Sequence, residues 1–271
     1  MHQTILDGKV AVVTGGYGVL GSSIAEGLAQ AGATVVLLGR RQEAATACAR
    51  EIEAAIAGAT VGTAIADVTD EQQLRAACAA VVSEWGHIDI LINAAGGNVA
   101  AARTDSVPPF AMSLPAFDEV VRMNLHGTVY PTLIFGEAMA NGNGGSIVNI
   151  SSMAAVLAIS GVAGYSAAKA AVDNFTRWLA VDVAKRHGDG TRVNAVAPGF
   201  FVTKQNRNVL IREDGSFTDR SKTILAQTPA GRFGKPEELN GLVTFLCSDA
   251  ASFITGAIIP VDGGFSANSG V

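Results

Sequence analysis

The chain has 271 residues, 49% of them hydrophobic and 16% charged, with a net charge of −5. That length fits one large α/β domain, and the apolar fraction is enough to cover both faces of a sheet. The acidic balance and the lack of a basic run argue against nucleic acid or an anionic membrane as a partner, while so sparse a charge predicts a homo-oligomer.

The N-terminal segment Met-His-Gln-Thr-Ile-Leu-Asp-Gly-Lys has no basic stretch followed by an apolar one, and no apolar run reaches the length of a membrane span. A cytoplasmic protein is the expectation. Cys48, Cys78 and Cys247 form no Cys-x-x-Cys pair, and His2, His87, His126 and His187 are scattered without ligand spacing, so no metal site is predicted.

Short runs rich in Val and Ile alternate with amphipathic stretches. Lys9–Thr14, Thr34–Leu38, Val61–Ala66, Ile88–Asn93, Ser146–Ile150, Arg192–Ala197 and Ala257–Val261 read as strands buried on both faces. Helical patterns fall near 21–31, 42–57, 71–85, 116–140, 164–187 and 236–248. The alternation predicts βαβ units, and hence a seven-stranded doubly wound parallel sheet with helices on both faces, a Rossmann fold in a single domain over 1–271. Two stretches break the rhythm beyond strand carboxyl ends, 97–115 and 200–230. In doubly wound folds such positions carry substrate loops.

The first strand leads into Thr14-Gly15-Gly16-Tyr17-Gly18-Val19-Leu20-Gly21. Gly16, Gly18 and Gly21 have dinucleotide-binding spacing. Glycine there permits a tight turn and a close approach to a pyrophosphate, which the helix N-terminus favours electrostatically. The second strand ends in Gly39-Arg40-Arg41, where an acid would hold a ribose 2′-hydroxyl. An arginine can instead pair with a 2′-phosphate, so NADP(H) is favoured and NAD(H) remains possible.

Tyr165 and Lys169 are four residues apart and share a helix face, with Ser152 thirteen residues before the tyrosine. A cation beside a phenol favours the phenolate, and a serine hydroxyl can hold a carbonyl or alcohol oxygen. The three groups read as a device for moving a proton on a C–O centre.

Together these motifs resemble the classical short-chain dehydrogenases/reductases over essentially the whole chain. The resemblance rests on the glycine-rich turn, Asp67-Val68, Asn93-Ala94-Ala95-Gly96, Asn124 in Met-Asn-Leu-His-Gly, Ser151-Ser152, Tyr165-x-x-x-Lys169, Pro198-Gly199 with Thr203, and Val261-Asp262-Gly263-Gly264. It implies a catalytic tetrad in which Tyr165 is the acid/base, Lys169 lowers the tyrosine's pKa and holds the nicotinamide ribose, Ser152 orients the reacting oxygen, and Asn124 anchors a proton-relay water. It also implies cofactor contacts from Asp67 and Val68 to adenine, from Asn93, Ala94, Ala95 and Gly96 along the cleft, and from Pro198, Gly199, Val202 and Thr203 to the carboxamide. A homotetramer is implied as well, built through the 116–140 and 164–187 helices and the last strand. One position departs from the family pattern: Val19 stands where a glycine is usual, and Gly18 comes one place earlier.

Within the family the sequence looks most like the D-mannonate oxidoreductase-like, or fructuronate reductase-like, subgroup. That likeness implies a secondary alcohol–ketone interconversion on a small-molecule sugar acid. Asn98, Arg103, Ser152, Lys204, Gln205, Asn206 and Arg207 are the candidate substrate groups, with Lys204 or Arg207 on the carboxylate. The same tetrad would also serve a polyol or gluconate-type dehydrogenase or a 3-oxoacyl-thioester reductase. A reading of another class is a non-catalytic NAD(P)-binding protein on the same fold.

Overall fold

The computed structural model describes residues 4–104, 107–203 and 206–270. Seven strands form its frame: β1 (Val10–Thr14), β2 (Thr34–Gly39), β3 (Val61–Ile65), β4 (Ile90–Asn93), β5 (Gly145–Ile150), β6 (Thr191–Pro198) and β7 (Ile258–Val261). All pair in parallel in the order β3-β2-β1-β4-β5-β6-β7. Each predicted strand is present within two residues of its expected ends. The order reverses direction between β1 and β4, so the crevice beyond their carboxyl ends is the switch point where such sheets take ligands.

The strands are apolar on both sides because both sides are covered. Ala11 and Val13 of β1, Val35 and Leu37 of β2, and Ile90 and Ile92 of β4 pack with Ile24, Leu28, Val243 and Leu246. Their neighbours Val10, Val12, Val36, Leu38 and Leu91 face the other way, against Leu74, Val81, Phe135 and Leu179. The first layer is formed by α1 (Val19–Gln30), α2 (Gln42–Ala55) and α9 (Asn240–Cys247). The second comprises α3 (Glu71–Trp85), α5 (Gly127–Asn141) and α6 (Ala163–His187). Local chemistry sets several ends. Asp70 caps α3 by accepting from Gln73 N, and Lys185, Arg186 and His187 meet the negative end of the α6 dipole.

Three expectations need correction. The single helix predicted over 116–140 is divided into α4 (Leu114–Val121), one π turn at Arg122–His126, and α5. The Asn124 side chain binds Val120 O and both polar groups of Gly97, which anchors the helix to the β4 exit at the widened turn. The predicted helix over 236–248 begins as a 3₁₀ turn, Pro236–Leu239, before α9. The 200–230 stretch holds two helices that the apolar pattern missed, α7 (Arg207–Leu210) and α8 (Asp219–Gln227). Thr218 caps α8 by accepting from Ser221 N, so the capping residue carried a legible signal that the weak periodicity did not.

The glycines of the first turn differ in what they require. Gly15 has φ +64°, and a Cβ there would lie 2.8 Å from Ala95 Cα. Gly21 is helical, yet a Cβ would come within 2.3 Å of the Gly15 carbonyl oxygen. Gly241, inside α9, has nothing within 4 Å of where a Cβ would stand. We therefore expect Gly21→Ala to cost about 1–3 kcal/mol, read as a Tm loss of several degrees, because α1 must lift off the turn. Gly241→Ala should stabilise by about 0.5–1 kcal/mol through helix propensity alone. Equal thermal shifts for the two variants would contradict this packing.

Candidate active site

The cleft begins where β1 ends. Thr14, fully buried, accepts hydrogen bonds on Oγ1 from Ala94 N and Ala95 N, each at 3.2 Å, and so ties the glycine turn to the β4 exit. Gly15 N donates to Leu38 O at 2.8 Å. Gly18 stands at the N-cap of α1 with no side chain capping the helix. The first-turn N–H groups and the positive end of the dipole are therefore left uncapped by any side chain, which suits the pyrophosphate of a dinucleotide. Val19 opens α1 and Gly18 has φ −79°, so the displaced glycine leaves the turn intact.

The far end of this cleft is built from the β2 and β3 exits. Tyr17 folds over Gly39, where a Cβ would lie 2.5 Å from its ring, and its hydroxyl accepts from Arg41 N at 3.0 Å. The Arg41 guanidinium lies 5.1 Å from the Tyr17 ring centroid. Arg40 is well exposed and faces Asp67 at 3.5 Å. Burial would raise the Asp67 carboxyl, but hydrogen bonds from Thr69 and the Arg40 and Arg122 cations outweigh it and hold the group below the usual carboxylate range. Val68 abuts Gly127, where a Cβ would lie 2.9 Å from Val68 Cγ2.

Asn93 does not line the cleft with its side chain. It is buried and donates to Thr132 Oγ1 at 2.7 Å and Asn149 Oδ1 at 2.8 Å. Asn149 in turn donates to Thr176 Oγ1 at 2.9 Å. These groups form a polar ladder from α5 to α6 across β4 and β5, because amides placed behind the sheet must find partners there. Asn124 is fully buried as well. Its Oδ1 accepts from Gly97 N at 3.0 Å, and its Nδ2 donates to Gly97 O at 2.7 Å and Val120 O at 2.8 Å. Both amide protons are used, and its main-chain carbonyl accepts from Thr128 Oγ1 at 2.9 Å. A Cβ on Gly96 would lie 2.6 Å from Asn124 Oδ1 and 3.7 Å from Lys169 Nζ.

Residue by residue, the β5 exit is joined to one face of α6. Ile150 O accepts from Lys169 Nζ at 2.6 Å, the Ser151 hydroxyl donates to the Asp173 carboxylate, and Ser152 is the hydrogen-bonding neighbour of the Tyr165 phenol. Lys169 is 3% exposed. Burial lowers its pKa to about 8, with the Asp173 carboxylate acting the other way. The expectation that Lys169 lowers the tyrosine is not met in this structure. Burial holds the Tyr165 phenol above its ordinary value, opposed by the Ser152 hydrogen bond. The physical reason is geometric: the ammonium lies 5.6 Å from the centre of the ring and is bonded to a carbonyl. Asp173 and Thr14 were missed in the sequence. The continuing i+4 spacing from Tyr165 through Lys169 to Asp173 could have revealed the first.

Above this cluster the substrate candidates separate. Asn98 accepts from Val99 N, while its buried Nδ2 has no hydrogen-bond partner. Arg103 follows the 3₁₀ turn Ala100–Ala102 in the same loop. Lys204 and Gln205 lie outside the described residues. Asn206 is not available as expected, since it accepts from Thr203 N at 2.7 Å and donates to Phe201 O at 2.8 Å, folding its own loop. Arg207 opens α7 and is exposed. At the β6 exit Gly199 N donates to Val261 O, and a Cβ on Gly199 would lie 2.7 Å from Asp262 Cα. The described residues contain no group of three or more His, Cys, Asp or Glu able to hold a metal, and no helix long and apolar enough to cross a membrane.

Asn124→Ala should cost at least about 2 kcal/mol, since it removes one buried and two partly buried hydrogen bonds and leaves Gly97 and Val120 groups without this partner. Urea unfolding measures this, and a loss under about 0.5 kcal/mol would show that the β4 exit does not depend on the amide.

The fold agrees with known proteins. Residues 18–266 match the family model described as enoyl-(acyl carrier protein) reductase. The uncharacterized oxidoreductase UxuB of Bacillus subtilis is 44% identical, over 100% of this chain and 99% of that protein. The crystal structure of a candidate D-mannonate oxidoreductase from Haemophilus influenza with bound NAD superposes with a TM-score of 0.91 at 38% identity, covering 99% of this chain and 98% of the other. A candidate NAD(P)-dependent gluconate 5-dehydrogenase from Beutenbergia cavernae, with NADP bound at low occupancy, gives 0.85 at 36%, covering 97% and 98%. With a glycine cradle that suits a nicotinamide dinucleotide and a serine, tyrosine and lysine gathered beside it, the chain belongs to the short-chain dehydrogenase/reductase family of oxidoreductases.

Proposed function

We propose that this enzyme interconverts a secondary alcohol and a ketone on a sugar acid of the D-mannonate/D-fructuronate type, with NADP(H) preferred over NAD(H). The observation that carries the reading is the convergence of Ser152, Tyr165 and Lys169 at the β5–α6 junction. The sugar-acid part is supported by the candidate D-mannonate oxidoreductase and gluconate 5-dehydrogenase among the similar structures.

When bound, the nicotinamide supplies the two-electron redox chemistry. The pyrophosphate would rest on the turn from Gly15 through Gly21. Arg40, Arg41, Asp67 and Val68 would receive the adenosine end, and Ala94, Ala95 and Gly96 would line the cleft. Pro198, Gly199, Val202 and Thr203 would face the carboxamide. In reduction, the Tyr165 hydroxyl delivers its proton to the carbonyl oxygen as that oxygen becomes an alcohol. Ser152 donates a hydrogen bond to the same oxygen and fixes its place. The Lys169 ammonium would hold the nicotinamide ribose, and a water anchored at Asn124 returns the proton to the phenolate. In oxidation the phenolate is the base.

Arg207 or Lys204 would bind the substrate carboxylate, with Asn98 and Arg103 contributing from the other loop. The reading also has the protein act in the cytoplasm as a homotetramer. Exposed Leu133 on α5, Trp178 and Val181 on α6, and Phe253 before β7 are apolar groups that such an assembly would cover. Sedimentation velocity tests the assembly, and a monomer at micromolar concentration would remove that part.

Turnover followed at 340 nm against aldonates, uronate-derived keto acids, polyols and acyl thioesters decides the substrate class; activity confined to polyols or thioesters overturns the sugar-acid reading. Tyr165→Phe should lose at least about 100-fold in kcat while still binding the dinucleotide. Retained turnover would end the acid/base assignment. Arg40→Asp should reverse the cofactor preference, and a wild-type preference for NAD would sink the NADP reading. Arg207→Ala should raise KM for acidic substrates about tenfold, equivalent to about 1.4 kcal/mol, with little effect on neutral ones. Ketone reduction should fall as pH rises through about 8, because Lys169, the buried cation of the cluster, then loses its charge.

A further inference from the structure

The geometry of the β5–α6 junction points to Asp173 as a positioning residue of this site: an ionised buried carboxylate, one helical turn beyond Lys169, that keeps the lysine cationic and holds the serine pair in place. The inference deepens the proposed dehydrogenase reading and assigns a part to a residue outside the expected tetrad.

Asp173 is 3% exposed, as is Lys169, and four residues separate them on one face of α6. A carboxylate this far from water is costly unless it is bonded and paired. Here the Ser151 hydroxyl donates to it, and Lys169 stands one turn away with its Nζ on the adjacent carbonyl, Ile150 O. The three consecutive β5-exit residues thus hold the three consecutive functional positions of α6. A slip of Ser151 would move Ser152, because the two are joined by one peptide unit. An isolated buried ammonium tends to discharge, and the opposite charge one turn away counters that tendency. Asp173 feels the same two influences. Burial raises its pKa, while the Ser151 hydrogen bond, the Arg177 cation one further turn along and Lys169 oppose the rise. Both cations belong to α6, and β5 meets the carboxylate with the neutral Ser151.

A structural alternative is that Asp173 merely fills space and caps Ser151. The two differ in whether the charge matters, so the test is the titration of Lys169 itself, which needs neither substrate nor cofactor. In protein labelled with ¹³C at lysine Cε, with the Lys169 signal assigned through Lys169→Arg, the wild-type midpoint should lie near 8. Asp173→Asn keeps the shape and an acceptor for Ser151 but removes the charge, and should lower that midpoint by about one pH unit or more. Asp173→Glu should restore most of it. Ser151→Ala keeps the charge and should shift the midpoint less than Asp173→Asn does. An unchanged midpoint in Asp173→Asn overturns the proposal.

Should that variant fail to fold, the carboxyl ¹³C signal of Asp173 in the wild-type protein decides. An ionised group at pH 7 supports the inference, and a protonated one ends it. With any ketone the enzyme reduces, the alkaline limb of kcat/KM should move down in Asp173→Asn together with the Lys169 midpoint. A lower kcat on an unshifted profile would mark a purely structural role. Because the midpoints are measured without turnover, failure of the sugar-acid reading leaves this test standing.

Discussion

Burying the ammonium of Lys169 is the constraint around which the site is arranged. A cation with almost no exposure must be bonded and must have counter-charge near it, or it gives up its proton. Each neighbour follows from that need. The last carbonyl of β5 turns toward α6 to accept from it, Gly96 at the β4 exit leaves its side free of a Cβ, and the tyrosine one turn earlier lies with its ring beneath it. The cost of burial also makes the group useful, because a lysine held near pH 8 is poised to change charge in the range where an enzyme works.

The strand exits are kept in register by side chains that sit behind the reacting surface. Thr14 ties β1 to β4, Asn124 ties the α4–α5 bend to Gly97, and the Asn93–Asn149 ladder ties α5 to α6 through the sheet. None of these groups need touch a substrate to matter. Apart from Asn93 Oδ1, which is buried without a partner, their side-chain polar groups are bonded, and a bonded buried network has few alternative arrangements. The π turn around Asn124 belongs to the same logic, since widening one turn lets the amide reach a neighbouring strand exit without breaking the helix.

At the nucleotide end, absence of side chains does the positioning. The turn between β1 and α1 is a backbone surface, closed by packing of Gly21 on Gly15 and of Gly15 on the β4 exit. Beyond it the side chains return. Tyr17 over Gly39, Arg41 over Tyr17 and Arg40 facing Asp67 make a charged and aromatic rim. The rim is exposed, so its ion pair is weak and can exchange partners at little cost. The core behind it is apolar, and burial pushes the Cys247 thiol up to about 12, which leaves it an inert part of the packing.

The sheet was legible because its strands are buried on both faces, so hydrophobic runs alone mark Lys9–Thr14, Thr34–Leu38 and Ile88–Asn93, each within two residues of the observed strand, without any partner being known. The glycine turn and the Tyr165/Lys169 spacing were legible because their chemistry is local: a fixed number of residues along one turn or one helix face. Where sequence reasoning went astray, the deciding partner was distant. Asn93 and Asn206 read as ligand groups until the fold supplied Thr132 and Asn149 for one and a loop backbone for the other. The tyrosine's pKa read as lowered until burial and the Ile150 carbonyl were in place. Asp173 had the right spacing but no meaning before Ser151 was brought to it across the strand–helix gap. The order in which the strands appear, the glycine turn and the residues that share a helix face can be read along the chain, since these depend on periodicity and backbone freedom. Which polar groups are left over for chemistry emerges on folding, since that depends on which of them the fold has already bonded and removed from water.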